Sequence, residues 1–230
     1  ATVQLLRIDT LPEATGLGTL LPRDGLRLPP PLAPRMAFEG YTIVRALHVG
    51  ARSHVHLATD DASGETVVLK TPAASAHEDA AFLDRFLLDE WVASRIDSPH
   101  VVRARVPRRP RGHLFAALEY VPGQTLAQWM VDHPRPALGE VRTIVEQVAR
   151  GLQALHRRGM LHQDLRPANV VIDAQGTARI IDLASAHVPG LYAADEARPM
   201  AIEGTLQYTA PEYVAGQGGD ERSDLFSLAA

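Results

Sequence analysis

Short runs of apolar and β-branched residues, separated by turn formers, dominate the chain from Tyr41 to residue 120. Five runs share this pattern: residues 41–49, 53–60, 65–70, 101–106 and 114–120. The turn Ala62-Ser63-Gly64 joins two of them, as in a β-hairpin. The pattern therefore predicts a five-stranded antiparallel sheet in this half of the chain.

Helical spacing of apolar residues interrupts the strand pattern once and dominates after it. Residues 77–96 predict a single helix. One stripe of this helix carries Leu83, Leu87, Glu90 and Ser94. Residues 125–133 predict a short helix and residues 139–158 a long one with an apolar face. Two short strands follow, at residues 169–173 and 178–182. The order of elements indicates an α+β protein, with a sheet and one helix first and mainly helices afterwards.

The first 37 residues differ from the rest of the chain. Residues 1–10 partly alternate apolar and polar positions, as a short strand does. Residues 11–37 contain six prolines, which favour extended backbone. We therefore interpret residues 11–37 as a linker that packs no core, and residues 1–10 as the tail of an upstream domain.

Composition excludes several classes of protein. The 230 residues carry a net charge of −4, so the surface as a whole is not expected to bind nucleic acid or anionic lipid. The absence of cysteine excludes disulfides and thiolate chemistry. No apolar run reaches the roughly 20 residues that span a bilayer, and the first residues do not resemble a signal peptide. We expect a cytoplasmic, globular protein without membrane contact in this segment.

Lysine is nearly absent from the sequence. Of 23 basic residues only Lys70 is a lysine, and it ends the run at residues 65–70. An arginine cannot replace a lysine where a compact ammonium is required. Glu90 lies on a helical stripe that should face the core, where a carboxylate must be paired. We expect a Lys70–Glu90 ion pair; the plainer alternative is that Glu90 reaches water at the edge of the stripe.

Motifs in the second half resemble those of eukaryotic-type protein kinases. Residues 161–169 read LHQDLRPAN, at the place of the catalytic loop, and Asp182-Leu183-Ala184 follows at the place of the metal-binding Asp-Phe-Gly. Residues 204–212 read GTLQYTAPE, which is similar to the end of the activation segment. Residues 223–228 read SDLFSL, which is similar to the start of the following long helix. The resemblance covers residues 41–230, with the motifs in the family's order.

The resemblance implies a two-lobed kinase fold with an N-terminal lobe at residues 38–121 and an incomplete C-terminal lobe at residues 122–230. It also implies the roles of individual residues in binding ATP and Mg²⁺. The catalytic residues would be Asp164 as the base, Lys70 on the phosphates, Glu90 as its partner and Arg166 beside the transferred phosphate. The nucleotide would contact Gly50, Val55, Lys70, Glu119, Val121, Asn169 and Asp182. Asn169 and Asp182 would hold the metal.

Four positions depart from the family's pattern, and one of them is Ala184, which stands where the family has a glycine. The phosphate-covering loop keeps only Gly50, while His48 and Ser53 stand where the family has its other two glycines. Gln163 stands where the family has an arginine that pairs with a phosphate on the activation loop. We expect reduced nucleotide affinity and an activity that does not require phosphorylation of the activation loop.

Five arginines lie close together in the sequence, in and beside the turn between the last two predicted strands. We interpret them as part of a solvated hairpin, and the alternative is a docking patch for acidic partners. They are Arg103, Arg105, Arg108, Arg109 and Arg111.

The details favour a serine/threonine kinase acting on a protein substrate. Pro167 and the pair Gly204-Thr205 are similar to that branch. Residues 182–191, 204–216 and 223–229 are more narrowly similar to bacterial proteins that join a type 2C phosphatase domain to a kinase domain. The resemblance therefore implies a covalent fusion to an upstream phosphatase. A pseudokinase that binds nucleotide or acts as a scaffold is the main alternative, favoured by the altered glycine loop. A small-molecule phosphotransferase is the second, and residues 204–212 argue against it.

Overall fold

The computed structural model describes residues 25–191, apart from residues 106 and 108, and residues 206–230. The predicted strand at residues 1–10 lies outside these residues, as do Arg108, the first part of the proline-rich segment and the start of the motif at residues 204–212. The proposed domain boundaries therefore stay predictions.

An antiparallel sheet of five strands forms the N-terminal lobe, in the order β1-β2-β3-β4-β5. The strands are β1 (Ala37–Phe38), β2 (Tyr41–Val49), β3 (Ser53–Asp60), β4 (Thr66–Pro72) and β5 (Ala116–Glu119). The predicted number of strands is confirmed, but the predicted strand at residues 101–106 is wrong. The described residues of this run, 101–105, make two backbone hydrogen bonds with β5, from Arg105 N to Ala117 O at 2.8 Å and from Glu119 N to Arg103 O at 2.9 Å. The fifth strand is instead the two-residue β1.

The outer face of the sheet has its own small core. Its buried residues are Phe38, Tyr41, Ile43, Ala58, Val67, Leu69, Phe115 and Ala117. Leu32 and Met36 pack against it, while Leu26 and Leu28 pack against the larger core. The prediction that the proline-rich segment packs no core is therefore wrong for residues 25–37. Extended backbone can still place every second side chain on an apolar surface.

The predicted helix at residues 77–96 is divided into two short helices, α1 (Ala80–Arg85) and α2 (Leu88–Ala93). Between them, the Phe86 N–H bonds to the Leu83 carbonyl three residues back, and Leu87 has ψ near 0°. A 3₁₀-type turn changes the rotational phase of the side chains that follow it. Leu83, Leu87 and Glu90 of the predicted stripe are buried, but the stripe does not continue to Ser94, which is exposed.

The C-terminal lobe combines helices with a small three-stranded sheet. Its helices are α3 (Leu126–Asp132), α4 (Leu138–His156), α5 (Pro211–Val214) and α6 (Glu221–Ala229). Its strands are β6 (Gly123–Thr125), β7 (Val170–Asp173) and β8 (Ala178–Ile180), which pair antiparallel. The two strands and two helices that the sequence predicted here are confirmed to within two residues at each end. In the described part of the chain, no helix is both long and apolar enough to cross a membrane.

Helix α4 is the central support of this lobe. Ile144, Val148, Leu152 and Leu155 are buried along one face of it, and the Glu140 side chain caps its start by accepting from Ala137 N at 3.0 Å. Gly151 lets the helix approach its neighbours, since a Cβ there would lie 2.8 Å from the His100 carbonyl oxygen. Helix α4 thereby fixes the strands and loops that carry the site described below.

Candidate active site

A cavity of about 1120 Å³ lies between the five-stranded sheet and the C-terminal lobe. It brings together nine of the ten residues that the sequence indicated. They are Gly50, Val55, Lys70, Glu119, Val121, Asp164, Arg166, Asn169 and Asp182. Glu90 does not line the cavity. The motifs thus converge on one place from both lobes, although they are far apart along the chain.

Lys70 is held between two carboxylates at the inner face of the sheet. Its Nζ lies 3.0 Å from Asp182 Oδ1 and 3.1 Å from Asp89 Oδ2. Burial alone would lower the pKa of the Lys70 ammonium, but Asp182 and Asp89 raise it well above its ordinary value. Burial likewise would raise the pKa of Asp182, and Lys70 instead lowers it. The site therefore presents a fixed ammonium beside an ionised carboxylate at neutral pH.

The expected Lys70–Glu90 pair is wrong, because the neighbouring Asp89 takes that position. Asp89 Oδ1 also accepts a hydrogen bond from Leu183 N at 3.0 Å, so it contacts the Asp182-Leu183-Ala184 motif as well as the lysine. Glu90 is turned toward the sheet edge, where it pairs with Arg111 and accepts from Ala117 N at 3.0 Å. Arg111 is accordingly not part of a solvated hairpin.

Asp89 is a residue that the sequence reasoning missed. Two adjacent carboxylates, Asp89 and Glu90, were a signal that either could face Lys70. Helical periodicity indicates Glu90 as the partner of Lys70 only if the helix is continuous from residue 77, and it is not. The turn between α1 and α2 changes that phase, and the side chain of Asp89 becomes the more deeply buried of the two, at 1% exposure.

Asp164 lies at the floor of the cavity with its side chain about one-third exposed. Asn169 Nδ2 donates to the Asp164 carbonyl oxygen at 2.9 Å and to Asp164 Oδ2 at 3.1 Å. Arg166 Nε lies 3.6 Å from Asp164 Oδ2. Burial raises the pKa of Asp164 above its ordinary value, and Arg166 opposes this only in part. A carboxylate with a raised pKa is a better proton acceptor.

The donor set fits a hard divalent cation. Asn169 uses its amide nitrogen toward Asp164, which leaves its amide oxygen to act as a ligand. Asp182 provides carboxylate oxygens in the same cavity. Two oxygen donors, with the remainder supplied by water and phosphate, are the usual protein contribution to a Mg²⁺ site.

Asp224 anchors the loop that carries Asp164. It accepts from His162 N at 2.8 Å and Gln163 N at 2.9 Å, and its Oδ2 lies 2.8 Å from His156 Nε2. Burial alone would raise the pKa of Asp224, but the hydrogen bond from His156 and the nearby donors of the loop lower it. Gln163 adopts φ +66°, a left-handed conformation that these bonds must stabilise. The sequence indicated Asp224 only as part of a motif, without this role.

The loop at residues 47–55, which the resemblance places over the phosphates, is held at several points. Gly50 N donates to Ser53 O at 3.0 Å, and a Cβ on Gly50 would lie 2.9 Å from the His48 ring. Arg52 at the tip of the loop contacts Asp79 Oδ2 at 2.6 Å and lies over the Phe82 ring, 4.5 Å from its centroid. The loop thus keeps a tight turn with one glycine and is attached to the start of α1.

The opposite end of the cavity is apolar and lies beside the connection between the lobes. Val55 on β3 is paired in register with Lys70 on β4, so both belong to the inner face of the sheet. Leu118 and Glu119 end β5, and Val121 is buried two residues later. A flat apolar ring would fit here, with main-chain groups of the connection at its edge.

Comparison with known proteins identifies relatives over most of the chain. A family model described as "Protein kinase domain" matches residues 41–230. The serine/threonine-protein kinase PknI of Mycobacterium tuberculosis is 35% identical over 202 residues, which cover 86% of this chain and 32% of that protein. The kinase PknA of Corynebacterium glutamicum is 33% identical over 184 residues, covering 78% of this chain and 39% of that protein. The chain therefore spans about a third of the length of these relatives.

Solved structures give the same result for the fold. The crystal structure of the M. tuberculosis PknI kinase domain matches with a TM-score of 0.63 and 33% identity, covering 86% of this chain and 74% of that one. A second crystal structure of the same domain has a TM-score of 0.65 at 32% identity and covers 86% and 73%. The two-lobed fold expected from the motifs is confirmed.

Proposed function

The chain belongs to the protein kinase domain family, and from this premise we propose that it catalyses the transfer of the γ-phosphoryl group of ATP to serine or threonine hydroxyls of a protein. The observation that carries the proposal is the convergence of Lys70, Asp164, Asn169 and Asp182 in one cavity. Phosphoryl transfer requires positioning and charge neutralisation more than covalent chemistry, and these four side chains supply both.

The nucleotide would lie with its base against the sheet and its phosphates toward Lys70. Val55 would pack on the adenine ring, and main-chain groups of Glu119 and Val121 would bind its edge. The Lys70 ammonium would contact the α- and β-phosphates, because it is fixed by Asp89 and remains charged. Gly50 would allow the covering loop to approach the phosphates closely.

Asn169 and Asp182 would hold Mg²⁺, which when bound neutralises phosphate charge. The free amide oxygen of Asn169 and the low pKa of the Asp182 carboxyl support this assignment. Asp182 also contacts Lys70 at 3.0 Å, so the ammonium and the metal ligand are positioned relative to each other by one hydrogen bond.

Asp164 would orient the substrate hydroxyl and accept its proton. The hydroxyl oxygen would form a bond to the γ-phosphorus as the bond to the β–γ bridging oxygen breaks and ADP leaves. Arg166, beside Asp164, would stabilise the charge on the transferred group. A positioned base of this kind typically contributes about 10²–10⁴-fold to the rate.

The second candidate function is a pseudokinase that binds nucleotide without transfer. His48 and Ser53 in the covering loop favour it, and so does the Gly50 N–H, which already bonds within the loop. Radiolabelled ATP and a protein substrate separate the two. Asp164→Asn should lose transfer by at least about 100-fold while it retains ATP binding, because Asp164 acts on the hydroxyl. Equal background transfer by both proteins would favour the pseudokinase.

The partners implied by the resemblance are also part of the proposal. We infer a cytoplasmic location, a protein substrate and a covalent fusion to an upstream type 2C phosphatase domain. The similarity of residues 182–191, 204–216 and 223–229 to such bifunctional proteins supports the fusion. The sequence that encodes the residues before Ala1 tests the fusion directly, since a phosphatase domain must bring its metal-binding aspartates.

A further inference from the structure

Glu90 and Arg111 form an ion pair outside the cavity, where helix α2 meets strand β5. Their side chains are only 9% and 15% exposed. Both carboxylate oxygens of Glu90 are used, since Oε1 accepts from Arg111 Nη2 and Oε2 accepts from Ala117 N. Arg111 Nη1 donates in turn to the Phe115 carbonyl at 3.0 Å. The pair therefore attaches helix α2 to the edge strand β5.

Helix α2 needs such an attachment. It has six residues, and no side chain caps its first turn. Isolated helices of this length are unstable in water, so tertiary contacts must hold it in place. Its buried apolar side chains fix its depth, while the hydrogen bonds of Asp89 and Glu90 limit its rotation about its own axis, and those of Glu90 attach it to the sheet.

The loop that presents Arg111 is itself held firmly. Glu39 accepts from Gly112 N through both of its oxygens, at 3.1 and 3.2 Å, and lies 2.5 Å from His113 Nδ1. The backbone of Arg27 brackets the same loop, with Arg27 N donating to Gly112 O at 3.0 Å and Leu114 N donating to Arg27 O at 2.8 Å. Arg111 is thus a fixed point against which helix α2 is oriented.

We propose that Arg111 is a positioning residue for phosphoryl transfer: by holding Glu90 it fixes helix α2 so that the adjacent Asp89 remains on Lys70. Neither Arg111 nor Glu90 lines the cavity, so neither touches the nucleotide. Asp89, one residue before Glu90, makes the bonds to Lys70 Nζ and Leu183 N. A rotation of α2 would move Asp89 away from both donors. The proposal rests on the kinase function proposed above.

The chemical reactivity of Lys70 tests the proposal without requiring activity. A neutral amine-reactive ester is applied to the full-length, nucleotide-free protein, and acylation of Lys70 is followed by mass spectrometry of the peptide that contains it. An ammonium held by two carboxylates is protected. Arg111→Met should accelerate acylation about ten-fold, as should Asp89→Asn, because loss of one close carboxylate exposes the amine. In Arg111→Met, kcat should also fall by about ten- to a hundred-fold.

Matched variants separate positioning from a loss of stability. Arg105→Met removes an arginine of the same basic turn whose ion pair with Glu65 is exposed, and it should acylate like wild type. Ile43→Val removes a methyl group from the core on the outer face of the same sheet. It should lower the stability of the domain without increasing the acylation of Lys70. Arg111→Lys retains a charge near Glu90 and should recover most of the protection.

The acylation rates of these variants decide whether Arg111 is a positioning residue, whether or not the protein is an active kinase. Wild-type acylation rates in Arg111→Met, or equal acceleration in Ile43→Val at a matched melting temperature, would overturn the proposal. If Arg111→Met does not fold, Glu90→Gln replaces it, since the amide can still accept from Ala117 N but cannot pair with Arg111. Failure of the wild type to transfer phosphate would refute the proposed function, whereas the acylation result would still decide the role of Arg111.

Discussion

Replacement of Asp224 by asparagine should loosen the loop that carries Asp164. Asp224 has a side chain only 1% exposed and accepts from three donors, the N–H groups of His162 and Gln163 and the ring of His156. Asparagine keeps one acceptor oxygen and turns an amide NH₂ toward at least one of these donors. The side chain changes by a single atom, so packing is unaffected.

The cost follows from the hydrogen bonds. A buried donor left unsatisfied costs about 1–3 kcal/mol, and the remaining bonds weaken when the charge is lost, for a total near 3 kcal/mol. For a domain of this size such a loss should lower the melting temperature by roughly 6–12 °C. Below that temperature, a displacement of Asp164 by ~1 Å would reduce kcat by about 100-fold.

Two measurements on purified protein check this prediction, differential scanning fluorimetry for the melting temperature and radiolabel transfer at saturating ATP for kcat. Asp220→Asn is the matched control. Asp220 caps helix α6, the helix that contains Asp224, by accepting from Arg222 N at 2.7 Å. Its side chain is exposed and does not contact the loop at residues 161–169. Asparagine is an equally good cap, so the control should resemble wild type. A kcat for Asp224→Asn equal to that of wild type would refute the anchoring role.

Three further outcomes follow from the described contacts. Gly151→Ala places a methyl group 2.8 Å from the His100 carbonyl and should cost about 1–3 kcal/mol in denaturant unfolding, whereas Gly139→Ala in open space on the same helix should be neutral or stabilising. The pKa of Asp224 is lower in the folded protein than in the unfolded chain, so the ionised carboxylate stabilises the fold fully above the unfolded pKa of about 3.9 and progressively less as the pH falls below that value. The difference in unfolding free energy between wild type and Asp224→Asn should therefore become smaller below about pH 4. Phosphatase treatment should leave kcat unchanged, because Gln163 cannot pair with a phosphate; a large loss of activity would contradict this.

Local patterns were sufficient for most of the elements. Strands β2 and β3 have the bounds that β-branched residues and turn formers predicted, and helix α4 follows its apolar spacing closely. These elements make their decisive contacts with near neighbours in the sequence, or bury a continuous apolar face. The motif residues also lie in one cavity, as the resemblance to protein kinases led us to expect. That expectation came from the known fold of the family and not from local patterns in this sequence.

The errors occurred where the structure depends on contacts between distant segments. Residues 101–106 have strand composition, yet the part of this run that the structure describes makes two backbone–backbone hydrogen bonds to β5 and no continuous ladder. Glu90 was selected by a helical phase that the turn at Leu87 alters. Arg111 had the composition of a solvated turn, and its burial depends on Glu39 and Glu90, which are 72 and 21 residues away in the sequence. No local periodicity contains that information.

The residues from Leu26 to Phe38 have a practical consequence for expressing the kinase domain. They precede the first recognisable kinase sequence at Tyr41, so an expression boundary drawn from motifs alone would remove them. A chain that begins at Tyr41 would uncover Ile43 and Leu69, which are now almost completely buried, and would remove the Arg27 backbone that hydrogen-bonds to Gly112 and Leu114. A soluble recombinant domain should therefore begin at or before Gly25.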